Sequence, residues 1–165
     1  MKVQELDTDD PEALINLATA IVERSQFSDL DFDKQMAEAT KLATQATKTV
    51  DTDIVPPAGA PPEQVETYRN FLRSSAWGIL GTISYNRNEF VDAEKSLNKA
   101  IDAFPQQVDP VMVVRLALSL DKQEKYAAAL VQADKAVGMT QAGNAVGDTA
   151  RNEQSRLKQL LNQKK

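Results

Sequence analysis

Trp77-Gly78-Ile79-Leu80-Gly81 opens the stretch that decides the fold, which runs on through Phe90, Ala93, Leu97 and Ala100 to Pro105. Two short antiparallel helices approach closely only where one carries Gly or Ala, here Gly81, Ala93 and Ala100. Large side chains, here Trp77, Leu80 and Leu97, then fill the space that the small ones leave. Pro105 lacks an N–H and stops the second helix.

The pattern recurs 36 residues on, since 129−93, 133−97 and 136−100 all give that number. Phe90, Ala93, Leu97 and Ala100 become Tyr126, Ala129, Ala133 and Ala136. On the first helix Trp77, Leu80 and Gly81 become Val113, Leu116 and Ala117. Trp, then Leu, Gly, Ala, an apolar residue and a closing Pro is the spacing of a tetratricopeptide repeat, whose usual period is about 34. Two extra residues fall in the connection Gln106–Asp109. Over residues 62–141 the chain thus resembles the tetratricopeptide-repeat family, as a bacterial repeat protein or the C-terminal module of a longer one. It departs from the pattern at Ser84, where an aromatic is usual with Tyr85 one place late, at Leu97 in place of Phe, and in the second copy, which lacks the Trp and has Gln141 for the closing Pro. The resemblance implies an all-α, right-handed superhelical array of antiparallel helix pairs, about seven helices in one domain over 1–165.

Outside that stretch, Asp10-Pro11-Glu12 is a helix start, with Asp10 as cap and Pro11 at the first helical position. Leu14, Leu17, Ala18 and Ile21 share one face with the spacing of Trp77, Leu80, Gly81 and Ser84. Met36, Ala39, Ala43 and Ala46 repeat the spacing of Tyr126, Ala129, Ala133 and Ala136. Residues 11–50 therefore read as a degenerate pair, 62–105 as a repeat with an extended first helix, 108–141 as a second repeat, and 144–162 as a capping helix. Residues 51–61 read as a proline-rich loop, because 51–62 holds four of the seven prolines. The first turns of the long helix, with Val65, Tyr68, Phe71 and Leu72, are placed to pack on the first pair.

Three motifs fail on inspection. Asp29, Asp31 and Asp33 alternate like the opening of a calcium loop, but Lys34 and Thr40 stand where Gly and a bidentate Glu belong, so the stretch reads as a polar turn with a helix cap. Gly138 and Gly143 have the gap of a phosphate loop, yet Asn144 replaces its Lys and no strand precedes it. The proline stretch has no PxxP with a flanking base.

Formal net charge is −5 and the only basic run is Lys164-Lys165, which argues against nucleic acid. There is no stretch of about 18 apolar residues to span a membrane and no signal peptide at the start, which leaves cytoplasm and periplasm both open. With no His and no Cys, the commonest bases, nucleophiles and metal ligands are missing. The expectation is a non-catalytic protein with no cofactor and no metal.

On a helical wheel at about 100° per residue, Phe71, Ser75, Gly78 and Thr82 lie on a second face, away from Trp77, Leu80 and Gly81. In the next repeat Val111, Val114 and Leu118 form the matching ridge, so Asp109–Leu120 is apolar on two faces, unlike a surface helix. The resemblance implies that this second face lines a concave groove for partner peptides, flanked by Arg115 and Lys122. The expected ligand is an apolar or helical segment with one acidic residue for Arg115. The competing reading is a structural module whose groove is covered by homodimerisation or by neighbouring repeats of a longer chain.

Overall fold

Residues 9–163, apart from Val55 and Pro57, are described by a computed structural model, and they form seven α-helices and no strand. These are α1 (Pro11–Arg24), α2 (Phe32–Thr49), α3 (Pro62–Asn86), α4 (Phe90–Ala103), α5 (Pro110–Lys122), α6 (Tyr126–Met139) and α7 (Ala145–Gln163), with a 3-10 turn at Pro105–Gln107. Proline opens α1, α3 and α5, where its missing N–H has no intrahelical partner to lose. Asp10 caps α1 by accepting from Glu12 N at 3.2 Å, and Asp109 caps α5 by accepting from Val111 N at 2.8 Å. Asp31 stands at the cap position of α2, yet its side chain makes no capping bond.

The connections α3–α4 and α5–α6 are three residues long, which forces antiparallel neighbours. Tyr85 meets Phe90 edge-on at 6.0 Å, Gly81 lies under Leu97, and the Lys99 ammonium stands 4.0 Å above the Trp77 ring, so α4 runs back along α3. The two turns are alike. Asn88 and Glu124, 36 residues apart, both take φ 60°. Asn88 N bonds Tyr85 O as Glu124 N bonds Asp121 O, and Glu89 N bonds Ser84 O as Lys125 N bonds Leu120 O.

Along α4 and α6 the stripes Ala93, Leu97, Ala100 and Ala129, Ala133, Ala136 are fully buried, as are Met36, Ala39, Ala43 and Ala46 of α2. Trp77 differs from the expectation that it fills the core. It is half-buried, with one face of its ring taken by Lys99. Each helix packs on the next, and α1–α3, α3–α5 and α5–α7 also touch, so the odd-numbered helices lie side by side.

The first turns of α3 divide in two directions. Leu72 is buried with Leu14, Ile15, Ala46 and Val50, against which Ile54 of the loop also packs. Tyr68 donates to the Glu12 carboxylate on α1. Phe71 instead turns toward Phe104, 6.4 Å away, and stays 48 % exposed.

At the other end α7 closes the row. Ala150 and Leu157 are buried against α5 and α6. Arg151 donates to Thr140 O at 2.7 Å and to Gly147 O at 2.9 Å, tying the end of α6 to the first turns of α7. Arg156 forks onto the buried Glu153 and reaches Asp121 on α5.

Candidate interaction cleft

The side-by-side placement of α1, α3 and α5 leaves a cleft of about 390 Å³ between them. Residues spaced three or four apart share a helix face, so each helix contributes one such row. From α1 come Asn16, Thr19, Val22 and Glu23. From α3 come Phe71, Ser75, Gly78 and Thr82, with Ile79 beside them. From α5 come Met112 and Arg115, with Asp109 at its cap. The hydroxyls of Ser75 and Thr82 donate back to the carbonyls of Phe71 and Gly78, both at 2.9 Å. That satisfies their protons within α3 and leaves their oxygens as acceptors.

Arg115 uses one of these acceptors, donating from Nη1 to Thr82 Oγ1 at 3.0 Å. Among the described residues no carboxylate lies within ion-pair distance of its guanidinium. Burial lowers the Arg115 pKa from its ordinary value, and the charges of Asp109 and Tyr85 act in the opposite sense. Arg115 remains a cation, since arginine does not lose its proton in proteins. Asp109 and Glu23 stand elsewhere in the cleft, the first occupied in capping α5.

Five of the nine residues expected to line a groove share this cleft: Phe71, Ser75, Gly78, Thr82 and Arg115. The space above Gly78 is filled from within. The Met112 side chain lies where a Gly78 Cβ would go.

The other four lie elsewhere. Val114 is only 6 % exposed, packed with Val113, Ala136 and Ala150, and Leu118 and Val146 lie against the same cluster. Val114 and Leu118, expected on a ridge facing a groove, are therefore packed into the core that α5 shares with α6 and α7. The two apolar faces of α5 are both internal, which is why its pattern is unlike that of a surface helix. Val111 lines a separate hollow beside Met139, Thr140 and Val146. Lys122 is exposed at the far end of α5, beside Phe27, Tyr85 and Phe90.

No family model matches the chain, and no curated protein matches it.

Among the described residues no group of three acids is placed to hold a metal ion, and no helix is long and apolar enough to cross a membrane. The sequence reading missed the α1 row and Met112. The spacing of Asn16, Thr19 and Glu23 was available as a signal, but a polar row on a surface helix is ordinary. Only the contact between α1 and α3 makes it a wall.

Proposed function

We propose that this chain is a tetratricopeptide-type interaction module that holds a segment of a partner protein, without catalysis, in the cleft between α1, α3 and α5. In this reading the helix pairs stack as a right-handed superhelix and the odd-numbered helices form its concave side. The matching turns at Asn88 and Glu124 and the equal spacing of α3–α4 and α5–α6 support that reading.

The observation that carries the functional part is Arg115. A half-buried guanidinium with five N–H donors and one neutral hydroxyl partner has donors to spare. A carboxylate delivered by a ligand would make short, charge-assisted bonds there. Val22, Phe71 and Met112 supply apolar surface beside it, where a partner's side chain could be desolvated. Glu23 and Asp109 repel further acids, which favours a segment with a single acidic residue among apolar ones.

Selection of a displayed peptide library on the immobilised protein tests this. Parent protein should enrich sequences that pair one acidic residue with apolar neighbours, and Arg115→Gln should lose the acidic preference. Enrichment of the same sequences on both proteins, or of none on the parent, would overturn it.

A further inference from the structure

The turn between α1 and α2 presents two apolar side chains to solvent. Leu30 is fully exposed and Phe27 is 75 % exposed. The turn is nonetheless braced. Gln26 N donates to Asp29 Oδ2 at 2.7 Å, Asp29 N returns a bond to Gln26 O at 2.9 Å, and Ser25 Oγ donates to Ile21 O at 2.7 Å. The Phe27 ring rests 5.3 Å from that of Phe32. A pre-organised turn that holds apolar groups in water loses little freedom when it docks.

Directly beside it is a recess of about 310 Å³ walled by Phe27, Phe32, Tyr85 and Phe90. Among the described residues Lys122 is the only charged one in its lining, and no carboxylate of theirs lies within ion-pair distance of it. The turn carries the opposite charge. Asp29 is used within the turn, but Asp31 makes no capping bond although it stands at the start of α2. An apolar knob with a spare carboxylate thus sits next to an aromatic recess with a spare ammonium, and Leu30 stands in solvent rather than in the recess of its own molecule.

We propose that this face is a seam between two copies of the chain, with Leu30 of each copy in the recess of the other and Asp31 paired to Lys122 across the boundary. Adjacent complementary features on one patch are what a twofold contact requires, since each copy gives and receives the same group. The contact shares no residue with the α1–α3–α5 cleft and stands apart from the function proposed for it. A patch this small places the dimer in the weak, transient class.

Sedimentation equilibrium of the full chain over a micromolar to millimolar series tests the seam. The parent should pass reversibly from monomer to dimer, less readily at high salt. Leu30→Ser, at a fully exposed position, should weaken association by more than about tenfold. Lys122→Glu should weaken it as well, and adding Asp31→Lys to that variant should restore it. A parent that stays monomeric throughout overturns the proposal and leaves the knob to a different protein. Leu30→Ser that associates like the parent, or a charge-swapped double variant that does not recover, also overturns it.

Discussion

Met112 lies against Gly78 so closely that a Cβ added to Gly78 would stand 2.3 Å from the Met112 methyl carbon. At Gly81 a Cβ would stand 2.6 Å from Leu97 Cγ and 3.2 Å from the Leu97 backbone nitrogen. The two contacts look alike and should behave oppositely. Met112 is unbranched and borders an open cleft, so its end can swing aside. Leu97 is fully buried and has nowhere to go. Gly81→Ala should cost about 1–3 kcal/mol by overpacking, outweighing the roughly 1 kcal/mol that alanine gains in a helix interior. Gly78→Ala should melt at or above the parent. Paired denaturant titrations decide this, and equal effects at both sites would contradict it.

The left-handed residues at the two tight turns are unequal. Asn tolerates φ near 60°, whereas Glu has no local compensation there. Position 124 follows the C-cap of α5, where Gly is the preferred residue. Glu124→Gly should raise stability by about 1 kcal/mol, and Asn88→Gly by less. A chemical-denaturation midpoint that falls on Glu124→Gly would show that the turn is held by something other than backbone conformation.

Tyr68 should give the protein an alkaline signature. Its pKa is pushed up to about 12, by burial first, then by its hydrogen bond to Glu12 and the charges of Glu12 and Asp10. A folded pKa above the unfolded value near 10 means that the neutral phenol favours the native state. The contribution is whole below pH 10 and drains away as pH climbs toward 12. Tyrosinate absorbance should show a late-ionising group that Tyr68→Phe removes. The same variant should flatten the fall of stability over that window.

Val114 and Arg115 are neighbours in sequence with opposite surroundings. Val114→Asp would bury an unpaired carboxylate beneath α7 and should cost about 4 kcal/mol or more, the rare tail of single substitutions. Arg115→Gln keeps a donor for Thr82 at the edge of a cleft and should melt close to the parent. Thermal melts of both variants check the assignment of faces on α5. A Val114→Asp protein as stable as the parent would place that ridge in solvent after all.

The helix hairpins were legible because their signals are local. Small residues at fixed intervals in Gly81–Ala100 and Ala117–Ala136, with proline at helix starts, fix the helices and their partners before any long-range contact is known. The cleft was legible on its α3 side and, on α5, at Arg115 alone. A wheel drawn for α5 finds two apolar faces but not which neighbour covers each, so Val111, Val114 and Leu118 were assigned to one groove, where Val114 and Leu118 pack with α6 and α7 and Val111 lines a separate hollow. Met112 and Arg115, one helical step around, are the residues that reach α3. Trp77 misled for a related reason. Its size suggests the core, yet an indole face can also be taken by a lysine ammonium, and Lys99 lies almost a full hairpin away in sequence.

The order in which the helices touch has a kinetic consequence. No described helix makes a substantial contact with one more than two places away in the chain. No loop that must close during folding therefore spans more than one intervening helix, which keeps contacts comparatively local and the search fast. By the same token the two ends of the molecule do not support each other. Stretched between its termini, the chain should peel inward from either end, one hairpin at a time, with α5 among the last helices to lose its neighbours.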